Sequence, residues 1–245
     1  MNSALRSERK EILHPELSEE VIREQIPRFK WFIDVDFGNG IRARSTVWPD
    51  APANSPHVGV DKFEFIVRRN LPGLAGARIL ELGCNCGVIA LHMLRQGAAE
   101  VVGVDSERTW DRWKDQAEFV KTAFEWRWQT RCNARYIDMD MAEIPSLDLG
   151  RFDAVMALNC LYYLSEDDIA RVIRHVATIS DVFLIQCNTG DHPSLGRVPT
   201  PAFMAAALKA NGFPETHIDA PWDKPKRGFI PQKYHRPVVV GRKRG

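Results

Sequence analysis

The chain has 245 residues, 44% of them hydrophobic and 27% charged, and a formal net charge of +1 at pH 7. These values are typical of one globular domain with an extension, and they do not favour a strongly basic nucleic-acid-binding face. The sequence has no apolar run near the roughly 18 residues that a membrane span needs, and no apolar signal core. Its five cysteines lie in apolar or turn settings, which favours reduced thiols in a cytoplasmic protein.

Residues 1–57 are predicted to form a cap on the main domain. Acidic residues followed by apolar residues at helical spacing predict a helix over residues 15–25. The turn signal Gly38-Asn-Gly40, between two partly alternating runs, predicts a β-hairpin over residues 31–48. A proline-rich loop follows over residues 49–57, and loops of this kind often carry binding residues.

Strands and helices alternate in the second predicted unit, residues 58–245. After a helix over 58–70, the patterns predict strands at 78–82, 100–104, 134–138, 152–158 and 181–187, and helices at 87–96, 109–127, 165–178 and 200–210. This alternation implies a parallel sheet with helices on both faces. Two last apolar runs, 213–219 and 237–242, have no helix pattern between them and are predicted to be antiparallel neighbours. The predicted fold is therefore α/β, a Rossmann-like, doubly wound, mostly parallel seven-stranded sheet with an antiparallel C-terminal strand.

A turn between the first of these strands and the following helix organises the chain. In the stretch Glu81-Leu-Gly-Cys-Asn-Cys-Gly87, Gly83 allows the turn and Gly87 allows close packing at the start of the helix. The helix N-terminus offers unpaired N–H groups to a ligand. The next strand ends in Asp105, roughly 20 residues later, where an acid suits the hydroxyls of a ribose.

The residues of this turn favour one kind of nucleotide ligand over another. Their spacing, Glu-x-Gly-x-x-x-Gly, is not that of dinucleotide-binding proteins. Glu81 beneath the turn disfavours a pyrophosphate and favours a cationic ligand. A ligand with a sulfonium and an amino group, and without phosphate, fits better than NAD. The alternative is a plain tight turn in an α/β domain.

Over roughly residues 58–245 the chain resembles the class I S-adenosylmethionine-dependent methyltransferases. In that family the first motif holds the methionine part of the cofactor. The resemblance therefore implies that S-adenosyl-L-methionine is bound by Glu81, Gly83, Cys84, Asn85 and Gly87. Asn85 departs from the family pattern, which most often has a third glycine there. Asparagine tolerates the left-handed backbone conformation better than most residues, so the departure is compatible with the turn.

Two later segments resemble the family's ribose and adenine sites. Val101-Val-Gly-Val-Asp105 resembles the second strand, which implies that Asp105, followed by Ser106, binds the ribose hydroxyls. Asp140-Met-Ala-Glu-Ile-Pro145 resembles the segment after the third strand. The resemblance implies that Asp140 meets the adenine amino group and that Met141 lies against the ring. Asp138 competes for the adenine role, and the alternative for it is a solvated strand end.

Candidates for the substrate side follow the fourth and fifth strands of the domain. Residues 159–163, Asn-Cys-Leu-Tyr-Tyr, would lie where open α/β sheets bind ligands, so they would face the cofactor and the substrate. Asn159 is predicted to bind the cofactor. Tyr162 is a catalytic candidate, because this tyrosine pair could stack on an aromatic substrate or hydrogen-bond its nucleophile. A tyrosine here can also pack in the core. His57 and His192 lie in loops that could reach the cleft, and either could be a general base. The cysteine spacing is poor for zinc, so no metal is predicted.

Three functions remain open at this point. The first is methyl transfer by direct displacement to a small molecule, with the cap as the substrate cover. The second is modification of RNA, because Trp31–Ile41, Gly97–Asp105 and Leu161–Tyr163 are similar to the family that modifies the wobble uridine of tRNA. The third is a cofactor-binding protein without catalysis. The first is favoured, with a small-molecule methyl acceptor as the expected partner. An RNA partner stays open but is not favoured, and no membrane partner is predicted.

Overall fold

The structure is a computed structural model. It describes residues 12–47, 62–71, 73–187, 200–219 and 236–243. The predicted proline-rich loop with His57, and the loop with His192, lie outside the described residues. Among the residues that the structure describes, no helix has the length and apolar character needed to cross a membrane.

The N-terminal part contains a short helix and a small hairpin. Helix α1 (Glu19–Gln25) runs into a 3-10 turn, and strands β1 (Val35–Gly38) and β2 (Ile41–Ala43) pair antiparallel. The helix begins at Glu19 rather than near residue 15 because Ser18 caps it, with its side chain accepting a bond from the Val21 N–H. The hairpin strands are also shorter than the predicted span of 31–48.

Seven strands form the main sheet, which confirms the predicted fold. They are β3 (Arg78–Leu82), β4 (Glu100–Asp105), β5 (Ala134–Asp138), β6 (Ala154–Leu158), β7 (Val182–Gln186), β8 (Glu215–Asp219) and β9 (Val238–Arg242). Their order is β5-β4-β3-β6-β7-β9-β8, with β9 antiparallel to both neighbours and the other pairings parallel. The strand order reverses between β3 and β6, so a ligand is expected at the carboxyl ends of these two strands.

Helices cover both faces of this sheet. A π-helical segment (Phe63–Val67) continues as α2 (Arg68–Asn70), and the later helices are α3 (Val88–Arg95), α4 (Trp113–Trp128), α5 (Glu166–Ile179) and α6 (Pro201–Ala210). Helix α4 begins at Trp113, four residues later than predicted, because Arg112 before it has a positive φ of 56°.

The described core consists of two apolar clusters, one on each face of the sheet. Consecutive residues of β3 alternate between them, with Ile79 in one cluster and Leu80 in the other. The first cluster also contains Trp31 and Phe37 from the N-terminal part, and the Phe37 ring lies 5.5 Å from that of Phe124 on α4. The described N-terminal residues therefore share a core with the sheet. Whether residues 1–57 form a separate substrate cover stays a prediction.

Candidate active site

The turn after β3 has the backbone geometry that its residue types favour. Gly83 and Gly87 both have a φ of 70°, and Asn85 has a φ of 47°, in the left-handed region that asparagine tolerates. Gly83 also faces Cys160, whose Cβ would lie 2.7 Å from a Cβ added at Gly83. The turn is tied to β4, because the Gly83 and Cys84 N–H groups donate to the Val104 carbonyl at 2.8 and 3.2 Å. The turn is thus held by hydrogen bonds within the fold.

Glu81 lies beneath this turn and is almost fully buried, with 1% of its surface exposed. One carboxylate oxygen, Oε2, has no hydrogen-bond partner among the described residues. Burial raises the pKa of the Glu81 carboxyl well above its usual range, and the charge of Asp105 raises it further. A buried acceptor of this kind is costly unless a ligand supplies a donor, and a cation suits it best.

Asp105, at the end of β4, accepts hydrogen bonds through both carboxylate oxygens, and one of these bonds holds the turn. Oδ2 accepts from the Asn85 N–H at 2.7 Å, and Oδ1 accepts from the Ser106 N–H at 2.8 Å. Burial is the main cause that raises the pKa of the Asp105 carboxyl. Each carboxylate oxygen has two lone pairs, so Asp105 can still accept bonds from ligand hydroxyls. Asp105 therefore has a structural role that the sequence analysis did not predict, besides the ribose role predicted for it.

The two candidate adenine acids differ in their surroundings. Asp138 is exposed at the end of β5, and its Oδ1 accepts from the Glu107 N–H at 2.8 Å. Asp140 caps the 3-10 turn Met141–Ser146, with Oδ1 accepting from the Ala142 N–H at 2.9 Å. Met141 is half-buried and packs against the core. Asp138 ends β5 and Asp140 follows it, and the adenine role of Asp140 stays a prediction.

The loop after β6 brings Asn159 and Tyr162 to the same edge of the sheet. Asn159 has a φ of 59°, and a 3-10 turn spans Leu161–Tyr163. Tyr162 is buried, whereas Tyr163 is 58% exposed. Burial raises the pKa of the Tyr162 hydroxyl above its usual range, which suits a hydrogen-bond donor better than a general base.

Three residues at this edge were missed by the sequence analysis. Arg236 donates from Nη1 to the Tyr162 hydroxyl at 2.8 Å and to Asn159 Oδ1 at 3.2 Å. Gln186, the last residue of β7, and Lys62, just before the π-helical segment, are both buried. Lys62 could have been noticed as a lysine on the apolar face that includes Ile66, one turn later. No local pattern marks Arg236 or Gln186.

The cysteines do not form a metal site in the described structure. All five are free and buried. The Cys84 thiol packs against Gly103 within the fold, so this residue can reach a ligand only through its backbone. Burial raises the pKa of the Cys86 thiol to about 12, which makes it unreactive. Among the described residues, no group of three His, Cys, Asp or Glu side chains could hold a metal ion.

The unpaired hydrogen-bond acceptors of this site match the donors of S-adenosylmethionine. Glu81 Oε2 and Asn85 Oδ1 are buried acceptors without a partner among the described residues, and both lie at the turn. The amino group of the cofactor's methionine part and its ribose hydroxyls are donors. Because burial raises the pKa of the Glu81 and Asp105 carboxyls, a cationic ligand, which stabilises their charged form, suits them better than a pyrophosphate.

Comparison with known proteins agrees with this fit. Residues 79–180 match the family described as "Methyltransferase domain". The chain is 32% identical over 117 residues to the magnesium-protoporphyrin O-methyltransferase of Rhodobacter capsulatus, covering 47% of this chain and 46% of that protein. It is 31% identical over 100 residues to the ubiquinone biosynthesis O-methyltransferase of Alkalilimnicola ehrlichii, covering 41% and 36%. This chain thus spans less than half the length of each of these two relatives.

Solved structures agree on the fold. The N-terminal domain of EvdMO1 with SAH bound has a TM-score of 0.63 at 21% identity, covering 93% of this chain and 98% of that one. Magnesium protoporphyrin IX methyltransferase from Synechocystis with bound SAM has a TM-score of 0.57 at 17% identity, with the same coverage. The comparisons do not show the similarity to the tRNA wobble-uridine family.

Proposed function

We propose, from the class I S-adenosylmethionine-dependent methyltransferase domain that this chain contains, that the protein transfers a methyl group to an oxygen of a small molecule. The observation that carries this proposal is the buried, unpartnered Glu81 Oε2 beneath a turn clamped by Asp105. Both curated relatives are named O-methyltransferases, which supports an oxygen acceptor. The five free thiols support a cytoplasmic location.

The residues of the site would bind different parts of the cofactor. Bound S-adenosylmethionine supplies a methyl group on a sulfonium. Glu81 would hold the amino group of the methionine part, and Asp105 the ribose hydroxyls. Asp140 and Met141 would hold the adenine. Since N–H groups of the turn donate to Asp105 and Val104, the turn would hold these groups in position, which lowers the entropic cost of a direct displacement.

Removal of the Asp105 carboxylate is expected to weaken cofactor binding sharply. Asp105→Ala removes the predicted ribose acceptor and releases the Asn85 N–H. We expect the affinity for S-adenosylhomocysteine to fall about 10- to 100-fold, the effect of losing charged hydrogen bonds. Calorimetry measures this. Asp181→Ala is the matched control, because Asp181 is exposed and pairs with Lys243 and Arg151.

Methyl transfer itself is tested with labelled S-adenosylmethionine and a panel of small hydroxyl compounds. Turnover of at least one compound, lost in Glu81→Gln, is the expected result. Unchanged affinity of Asp105→Ala would remove the ribose assignment. Tight cofactor binding without turnover of any compound would instead favour the non-catalytic binding protein.

A further inference from the structure

Arg236 lies at the edge of the sheet where the predicted cofactor residues are found. It stands two residues before β9, whose first residue, Val238, pairs with Gln186 at the end of β7. The Asn159 N–H donates to the Gln186 carbonyl at 3.3 Å. Arg236, Gln186 and Asn159 are therefore neighbours at the carboxyl ends of β6 and β7, beside the turn of Glu81.

Part of the Arg236 guanidinium makes no hydrogen bond to the described residues. Its bonds to Tyr162 and Asn159 both come from Nη1. Within the described part of the chain, its Nε and Nη2 groups donate to no acceptor. A guanidinium presents five N–H groups in a planar fork that matches a carboxylate. Tyr162 and Asn159 thus fix the orientation of the fork and leave much of it for a ligand.

Lys62 adds a second cation to this region. It is 7% exposed, and burial lowers the pKa of its ammonium to about 8. The charge of Arg236 lowers this pKa as well, so the two cations are near enough to repel each other, whereas Glu81 opposes the shift. An anion bound beside them would relieve this repulsion.

Gln186 provides an independent indication of a ligand. Its side chain is nearly buried, at 6% exposed, and its Nε2 donates to the Arg236 carbonyl at 3.4 Å. Its Oε1 is buried and has no hydrogen-bond partner among the described residues. A buried amide oxygen left unpaired is costly, so it suits a hydroxyl group of a ligand.

We propose that the methyl acceptor is a small hydroxy acid whose carboxylate binds the Arg236 guanidinium beside Lys62, with a hydroxyl in reach of Gln186 Oε1. This proposal rests on the proposed function, since it names the class of molecule that the methyltransferase domain modifies. The acid group serves as an anchor for the acceptor. Arg236 acts as a binding and specificity residue that takes no part in proton transfer.

The test measures the preference for acids over neutral esters. Full-length protein saturated with S-adenosylhomocysteine is titrated in a calorimeter with 3,4-dihydroxybenzoate, 4-hydroxycinnamate and 3-hydroxydecanoate. The methyl ester of each acid, and phenyl phosphate, are titrated beside them. We expect at least one acid to bind about 10- to 100-fold more tightly than its ester, as one charged bidentate contact provides.

Variants assign the preference to Arg236. Arg236→Gln is expected to abolish it, and Arg236→Lys to retain part of it. Because Arg236 also bonds to Asn159 and Tyr162, each variant is compared at saturation with S-adenosylhomocysteine, by the ratio of acid to ester affinity. Arg151→Gln is the matched control, because Arg151 is exposed and pairs with Asp181. The Arg151→Gln variant should keep the full preference for acids.

Several outcomes overturn the proposal. They are esters binding as well as acids, no acid binding at all, phenyl phosphate as the sole ligand, or a preference that survives in Arg236→Gln. Titrations without S-adenosylhomocysteine separate this proposal from the proposed function. A protein that binds acids through Arg236 but not S-adenosylhomocysteine would refute the methyltransferase function and keep the acid site.

Discussion

Gly87 and Gly76 have nearly the same backbone conformation and very different surroundings. Their φ angles are 70° and 73°. A Cβ at Gly76 would meet no atom within 4 Å, whereas one at Gly87 would overlap the ring and hydroxyl of Tyr136. Strain from the left-handed backbone is therefore common to both positions, and the close approach of a neighbour is specific to the cofactor turn. The two glycines separate these effects.

Gly87→Ala should accordingly be much more harmful than Gly76→Ala. Alanine in the left-handed region costs about 1–2 kcal/mol at either site, and overpacking against Tyr136 adds about 1–3 kcal/mol at Gly87. Because the start of α3 must shift, we expect S-adenosylhomocysteine affinity to fall in Gly87→Ala alone. Urea unfolding and calorimetry measure the two effects. Equal losses in both variants would contradict the role assigned to Tyr136.

Residue types predict only part of this site. The glycines and Asn85 could be interpreted because a left-handed turn restricts which residues fit, and Asp105 because it ends a strand. Gln186 and Arg236 could not be assigned, since they meet only through the register of β9 on β7. Lys62 could be noticed on its apolar helical face, but its proximity to Arg236 depends on the fold. His57 and His192 lie outside the described residues, so their predicted role as general base stays a prediction.

His92 joins three elements through its ring. It lies on α3 and stacks on Phe63 of the π-helical segment, with ring centroids 5.8 Å apart. On the other side it contacts the rings of Phe124 and Trp128 from α4. Burial lowers the pKa of His92 to about 4, and Arg95 contributes to the shift. The packing of α3 between its neighbours thus requires a neutral imidazole.

This requirement makes stability depend on pH in a defined window. The unfolded chain binds a proton on His92 below its usual pKa of about 6.5, and the folded chain only near pH 4. The stabilising contribution is therefore complete above pH 6.5 and is lost as the pH falls toward 4. Allowing for partial exposure, we expect a loss of about 2 kcal/mol between pH 7 and pH 4.

The variants His92→Leu and His217→Leu test this assignment, since His217 is exposed on β8. Urea unfolding at several pH values should show a smaller decrease with acid in His92→Leu than in the natural protein. His217→Leu should leave the decrease unchanged. An identical acid dependence in all three proteins would show that His92 is not the group responsible.

At the level of elements the sequence patterns were sufficient for most of the fold. The apolar run of β6 and the amphipathic spacing of α5 are both patterns of consecutive residues that can be recognised locally. The ends of both elements were therefore predicted to within two residues. Ends set by a single cap or a positive φ were missed, as at Ser18 and Arg112. A hydrophobic period does not report such local hydrogen bonds and backbone angles.

At the scale of the whole molecule, one apolar cluster contains residues of both the N-terminal part and the sheet. Trp31 and Phe37 are 1% and 2% exposed. The Arg127 guanidinium on α4 also links α4 to the N-terminal part. Its Nε donates to the Phe37 carbonyl at 3.0 Å, and its Nη1 pairs with Glu19 at 2.9 Å. Removing the N-terminal part would expose the apolar face of α4. We therefore infer that the chain folds as one cooperative unit.

A chain that begins at residue 58 should fail to fold cooperatively. Loss of one buried Phe or Trp costs about 3–5 kcal/mol. The loss of several therefore removes most of a typical free energy of unfolding, which is about 5–15 kcal/mol. We expect no cooperative thermal transition by circular dichroism in the truncated chain, and one transition in the full chain. Phe37→Ala in the full chain is the graded control, and it should melt earlier yet bind S-adenosylhomocysteine normally. A truncated chain with the full chain's melting temperature would instead make residues 1–57 a separable cap.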